Sequence, residues 1–320
     1  MKIAVVGAGA IGGTLAHALW RAGADPLVVA RRATAEAIAA KGLHVRRQGA
    51  EETSRPRATA DATAAGAQDV VIGAMKAQDW PSASPLFGPL IGPKTVVLPA
   101  INGVPWWYFQ REPGPFAGRR LASLDPDGTL EAAFVPERTI GTVVYMAVSR
   151  AAPPILDWST GRRLVLGGIA GADPAPAAML LRSAGFEIDI APDIRRAMWA
   201  KLLGNVGFNP VSALARATVT EIFAAPALLG RVRDAMIETL AIARAVGRAP
   251  DIDLQARLEQ ARALGDFKTS MLQDREVGRP MEIGALLDAP REIAALAGVA
   301  TPTLDALAHD LRSAPTAAQA

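Results

Sequence analysis

Lysine is scarce in this chain: of 34 basic residues only Lys2, Lys41, Lys76, Lys94, Lys201 and Lys268 are lysines, the rest arginine. A desolvated lysine can give up a proton near neutral pH, which arginine cannot do. One of the six stands in the stretch MWAKLLGNVGFNP (198–210), where Lys201, Asn205 and Asn209 recur every fourth residue. Four helical residues drift by only about 40°, so the three side chains share one face. A solvent-facing stripe is the commoner origin of such a pattern. Here Met, Trp, Leu, Val and Phe surround it, and a cleft is the better reading. A lysine in a cleft can protonate a carbonyl oxygen once burial has lowered its ordinary pKa of about 10.4. Pro210 is expected to stop or kink the helix just past the stripe.

A second constellation is Gly7-Ala8-Gly9-Ala10-Ile11-Gly12, a G-x-G-x-x-G run between an apolar strand and a helix. Its glycines allow a tight turn and close approach of a pyrophosphate, held by free N–H groups at the helix start. Alone the motif is weak, but this strand–turn–helix context points to a dinucleotide. At the end of the next strand, where an acid would bond a ribose 2′-hydroxyl, the chain has Arg31-Arg32, and Asp25 lies at the wrong end. An arginine there suits a 2′-phosphate, so the cofactor expected is NADPH/NADP+.

The elements that must carry these residues follow from periodicity. Strands are predicted at 2–7, 26–30, 69–75 and 94–100, with helices at 11–22 and 33–41 and an edge strand at 43–47. This alternation predicts βαβ units and a parallel sheet. Further strands are predicted at 139–148 and 186–191, a hairpin about the Ser159-Thr160-Gly161 turn, and a helix at 173–184. From Ile194 onward the pattern is helical, at 194–208, 221–246, 252–264, 283–297 and 302–313. The fold class is therefore α/β, a Rossmann-type dinucleotide-binding domain at 1–192 followed by an all-α domain at 193–320. Residues 314–320 are expected to fray.

Composition narrows the function classes. Length 320 with half the residues hydrophobic suits two globular domains with large cores. The absence of cysteine excludes disulfides, Cys-ligated zinc and thiol catalysis. A net charge of +3 is too weak to argue for nucleic acid. The apolar run after Lys2 is broken by glycines, unlike a secretory signal, and no other run reads as a membrane span. A cytoplasmic protein is expected, without metal: His17, His44 and His309 are scattered.

Taken in order, GAGAIGG, Lys76 after DVVIGAM, AINGVP (100–105), MWAKLLGNVGFNP and KTSMLQDREVGRPMEI (268–283) resemble the ketopantoate reductase family. The resemblance implies NADPH-dependent reduction of a 2-oxo acid, 2-dehydropantoate to pantoate, in the pantothenate route to coenzyme A. It implies Lys201 as general acid, with Glu282 opposite it near the substrate hydroxyl and the nicotinamide ribose. Asn205 and Asn209 would hold the substrate and Ser270 its carboxylate. Lys76 and Asn102 would border the nicotinamide half, Ala147 would touch it through backbone, and Arg31 would meet the 2′-phosphate. Outside the resemblance, Glu282 is a helix-start carboxylate and Ser270 a helix N-terminal hydroxyl; Asn102-Gly103 is a turn signal just beyond a strand's C-terminal end, where open α/β sheets bind ligands. The partner is then a small 2-oxo acid, with neither nucleic acid nor membrane, and with a homodimer as the assembly to consider. The segment NGVPWWYF and the insert reaching Pro136 depart from the family pattern. Trp106, Trp107 and Tyr108 are candidates to line an altered acyl pocket, although aromatic clusters in loops are more often plain packing, and this keeps a bulkier 2-oxo acid open as the substrate. A non-catalytic NADP(H) sensor is the alternative of a different class, and it would have no use for Lys201 and Glu282.

Overall fold

A computed structural model describes residues 1–314; the stretch 315–320, where fraying was expected, lies outside the described residues. The chain forms two compact units. The first holds Met1–Ile101, Phe109–Arg120 and Asp127–Ile194, and the second Asn102–Tyr108, Leu121–Pro126 and Arg195–Ala320. A division near residue 192 thus misses two short segments, 102–108 and 121–126, that pack with the helices. The Glu292 carboxylate is one reason: it accepts from the Ala122 and Ser123 amides at 2.7 and 2.9 Å and from the Ser123 hydroxyl at 2.6 Å.

In the first unit, β1 (Ile3–Val6), α1 (Ala10–Arg21), β2 (Leu27–Val29), α2 (Arg32–Lys41), β3 (Leu43–Arg47), β4 (Ala50–Ser54), β5 (Arg57–Thr59) and β6 (Val70–Gly73) follow one another. A Pro-rich stretch of short helical turns, including α3 (Trp80–Ala83), leads to β7 (Val96–Pro99). After α4 (Thr129–Ala133) come β8 (Ile140–Ala152), β9 (Ile155–Gly168), α5 (Ala175–Ser183) and β10 (Glu187–Ile190). One sheet is parallel in the order β5-β2-β1-β6-β7, which matches five of the six strands of the 3-2-1-4-5-6 dinucleotide-binding order. Its central strands are apolar throughout because both faces are covered.

The second sheet runs β10-β9-β3-β4, with β8 along the other edge of β9. It packs on α1, so that Leu15, Ala16 and Leu19 share one core with Val5 and Ile72 of the first sheet and Leu156, Leu164 and Leu166 of the second. Three strand expectations change here. β3 is not an edge, since β4 and β9 flank it. β4 escaped notice because AEETS is polar and mostly exposed. The predicted hairpin at 159–161 is instead the interior of one long strand, and the real hairpin turns at Pro153-Pro154. Gly161, with φ +80°, sits over the Tyr145 carbonyl where the β8–β9 register shifts. It makes a bulge, not a reversal.

The second unit is helical: α6 (Ile194–Ala215), α7 (Val219–Ala224), α8 (Pro226–Ala245), α9 (Leu254–Ala263), α10 (Ser270–Glu276), a π-helical turn (Gly284–Asp288), α11 (Ala289–Ala297) and α12 (Pro302–Ser313). α6 does not stop at Pro210. A mid-helix proline costs about 3 kcal/mol, but Val206, Phe208, Val211 and Ala213 around it are all buried, and packing outweighs the lost bond. The helix expected over 221–246 divides at Ala225, because the residue before Pro226 is driven from helical to extended backbone. α7 begins earlier, at a capping box of Thr218 and Glu221.

Candidate functional site

The first unit supplies a turn built by omission. Gly7 has φ +98°, and a Cβ there would lie 2.7 Å from the Ala74 carbonyl oxygen. A Cβ on Gly12 would lie 1.9 Å from the Gly7 oxygen, so α1 can begin only against a bare backbone. Gly9, at the N-cap of α1, faces open space; no side chain caps the helix and its first turn, from Ala10 and Ile11, holds no acid. Unsatisfied amides and the positive end of a helix meet there, which suits a pyrophosphate. Ala8 is buried in the same loop.

Arg31 caps α2 just beyond β2 and is exposed. Asp25, at the other end of β2, pairs with Arg57 at 2.9 Å. The parallel partner of β2 was not foreseen: β5 sets Thr59 opposite Val29, and the following Asp61 accepts from the Thr63 amide at 2.9 Å. Too short and polar to read as a strand, β5 gave no signal in the sequence. Lys76 follows β6 at the start of a helical turn and is half-buried. Ala147 lies on β8, in the second sheet, at the register shift opposite Thr160. These residues fit a nicotinamide dinucleotide, with open backbone at the turn and, immediately after β2, a cation and no acid.

In the second unit, three stretches distant in sequence converge. α6 is buried almost all round, with Trp199, Leu202, Leu203 and Val206 at 1% exposure or less. On its remaining face the Lys201 ammonium donates to Asn102 Oδ1 at 2.6 Å, and Asn205 Nδ2 donates to the same oxygen at 3.4 Å. Asn209, one turn on, is buried. Asn102 is seated by its neighbours. Gly103 has φ +85°, a Cβ there would be 2.5 Å from the Ala285 oxygen, and the Val104 amide donates to that oxygen at 2.9 Å. The Asn-Gly pair is thus tied to the π-helical turn that follows Glu282. Such turns are uncommon and concentrate at functional sites.

Electrostatics tune the lysine. Burial lowers Lys201 from 10.5 to about 8, and the Glu282 carboxylate opposes that fall. Part of the side chain still meets solvent, but loss of hydration dominates at the ammonium. The group can therefore hold its proton at neutral pH and release it readily.

Ser270 is the first residue of α10, exposed, with Thr269 as the cap accepting from the Leu272 amide at 3.3 Å. Among the described residues its hydroxyl makes no hydrogen bond to Lys201, Asn102 or Asn205. Trp106, Trp107 and Tyr108 line no exposed surface; at 3%, 2% and 1% exposure they are packed core. That packing withdraws the main sequence argument for an altered acyl pocket. Among the described residues, no group of His, Asp and Glu is placed to hold a metal, and no helix is long and apolar enough to cross a membrane.

The chain matches the profile of ketopantoate reductase PanE/ApbA over residues 3–106 and of the ketopantoate reductase PanE/ApbA C-terminal region over 193–314. It is 42% identical over 311 residues to the 2-dehydropantoate 2-reductase of Mesorhizobium japonicum, covering 96% of this chain and 95% of that protein. The crystal structure of 2-dehydropantoate 2-reductase from Geobacter metallireducens superimposes with a TM-score of 0.86 at 31% identity, covering 98% of this chain and all of that one. The ternary structure of D-mandelate dehydrogenase with NADH and anilino(oxo)acetate shares the fold, with a TM-score of 0.84 at 19% identity over 98% of this chain and 97% of that one.

Proposed function

This chain belongs to the ketopantoate reductase family, and from that membership we propose that it reduces 2-dehydropantoate to pantoate with NADPH, Lys201 giving the proton. Bound NADPH supplies the hydride for the 2-keto carbon. The turn Gly7–Gly12 and the start of α1 receive the pyrophosphate, and Arg31 the 2′-phosphate. Lys76 and the Ala147 backbone serve the nicotinamide half, with Asn102. In the second unit Asn205 and Asn209 hold the substrate and Ser270 its carboxylate.

The observation that carries this reading is the buried Lys201 ammonium, held 2.6 Å from Asn102 and within the field of Glu282. As the carbonyl oxygen gains negative charge, one N–H bond of Lys201 breaks and an O–H bond forms. The neutral amine left behind regains its proton from solvent. Asn102 fixes the nitrogen, and Glu282 keeps it protonated until the carbonyl arrives. Arginine in that place could not release the proton.

The test is NADPH oxidation with 2-dehydropantoate beside a panel of other 2-oxo acids. We expect turnover of 2-dehydropantoate in preference to bulkier acids, and preference for NADPH over NADH. Tight NADPH binding with no turnover of any 2-oxo acid would overturn the reading and favour a sensor.

A further inference from the structure

Asn102 touches α6 through Lys201 and Asn205, and six residues later Tyr108 touches α6 again. The Tyr108 hydroxyl accepts from the Trp199 indole N–H at 2.7 Å, and its backbone oxygen accepts from Arg195 Nε at 2.6 Å. At about 100° per residue, Asn205 lies about 40° around the helix from Lys201, Arg195 about 120° and Trp199 about 160°. Residues 102–108 therefore pass from the polar face of α6 to its opposite side. Tyr108 and Trp199 are 1% and 0% exposed, with rings 6.0 Å apart at 89°. Arg195, 9% exposed, also has its guanidinium 5.8 Å from the Trp107 ring. Burying a tyrosine hydroxyl, an indole N–H and a guanidinium costs several kcal/mol unless they are bonded. Here the indole N–H is bonded to the hydroxyl and the guanidinium to the Tyr108 backbone oxygen, around the one helix that carries the lysine.

We propose that Tyr108 is a positioning residue for the proton donor: gripped by Trp199 and Arg195, it anchors residues 102–108 around α6 so that the Asn102 carbonyl stays on the Lys201 ammonium. The far end of the segment is anchored here, its middle is pinned where Val104 and Gly103 meet Ala285, and Asn102 is the end that does the work. The aromatic run that sequence alone leaves between pocket lining and plain packing is then a brace. This inference rests on Lys201 being the proton donor. Glu282 is the charged group that faces the ammonium from the turn packed beside it.

The experiment is a pH profile of kcat, at saturating NADPH and 2-dehydropantoate, for the wild type, Tyr108→Phe and the double variant Tyr108→Phe/Trp199→Phe. The single change leaves a buried indole N–H without its acceptor. The double change removes both polar partners, so no buried indole N–H is left unpaired, and its Tm then falls only by what the smaller ring at 199 costs in packing. In both variants we expect kcat at pH 7 to fall about tenfold, roughly the worth of one charge-assisted hydrogen bond, with KM little changed. The basic limb should move to lower pH, because an ammonium that loses an acceptor is less favoured. A double variant with wild-type kcat and an unmoved limb overturns the assignment, even if the single variant is unstable. A limb that moves to higher pH also overturns it, since that means water has reached the ammonium. Lys201→Ala in the same series separates the two layers: full kcat there removes Lys201 as donor, and the positioning role falls with it.

Discussion

The turn at Gly7–Gly12 works by leaving side chains out, whereas the cluster at Lys201 works by bringing side chains in from three distant stretches. At the turn, what Gly7 and Gly12 contribute is a distance that a methyl group would violate, 1.9 Å at Gly12 and 2.7 Å at Gly7, while Gly9 leaves its side of the turn open. At the cluster, each group is ordinary by itself and acquires its character from its neighbours. Lys201 is lowered to about 8 by burial, Glu282 counters that fall, and Asn102 receives the proton-bearing nitrogen. A backbone site tolerates almost any side-chain change that does not fill it. A side-chain site loses its chemistry with one atom group.

That contrast predicts opposite responses to substitution. Lys201→Ala should lower kcat by about 10²–10⁴-fold, the usual worth of a positioned acid, while the protein stays folded. A lysine whose pKa is depressed in the folded state subtracts stability. The deficit is complete below about pH 8 and disappears as pH rises toward 10.5. Its removal should therefore leave Tm at pH 7 unchanged or raised, measured beside kcat. A large drop in Tm would mean that the lysine is structural.

Gly12→Ala should behave in the reverse sense. The added methyl meets the Gly7 carbonyl, which is backbone and cannot swing aside. Overpacking of this kind costs about 1–3 kcal/mol, read as a lower Tm together with a raised KM for the cofactor. At saturating cofactor kcat should stay within a few-fold of the wild type. If Gly12→Ala instead lowers kcat as Lys201→Ala does, the two regions do not divide the work as described.

The same difference explains what could be read from the sequence. Gly7, Gly9 and Gly12 are legible because a missing side chain leaves its mark at fixed spacing between a strand and a helix. Lys201, Asn205 and Asn209 are legible because α6 is otherwise apolar, and any polar stripe on it stands out. Glu282 is not legible on physical grounds alone, and Asn102 only through its place just beyond a strand's C-terminal end. Their meeting with Lys201 depends on Gly103 fitting against Ala285, a contact across more than 180 residues that no local pattern encodes. The family resemblance supplied the roles of both. Trp106–Tyr108 stay open between pocket lining and plain packing for a related reason: only tertiary packing shows which helix the aromatic residues of a loop clasp. The differences in secondary structure at Gly161 and Pro210 are likewise places where a bulge or packing outweighed local propensity, whereas the break at Ala225 is local, set by the proline that follows it.

Arg31 tests whether the backbone site is completed by a side chain at all. The guanidinium is exposed, so its worth lies at the low end of a charge-assisted hydrogen bond, about 1.5 kcal/mol or about tenfold in affinity. Arg31→Ala should raise Kd for NADPH by that factor and leave Kd for NADH within about twofold of its wild-type value, both measured by fluorescence titration. Equal losses for both cofactors would show that Arg31 merely caps α2.

The smallest effect is the one that reads the lysine in its native setting. With a pKa of about 8, Lys201 is mostly protonated at pH 7 and half protonated near pH 8. A general acid works from its protonated form, so kcat should fall only about twofold between those points, then about tenfold per unit above them. The sign follows from burial: without it the basic limb would lie near the ordinary lysine value of about 10.4. Glu282→Gln removes the charge that opposes desolvation, so its limb should lie below that of the wild type, with a loss at pH 7 that partly recovers as pH is lowered. A wild-type limb near 10 would mean that water reaches the ammonium, and the buried cluster would not be what sets the lysine's chemistry.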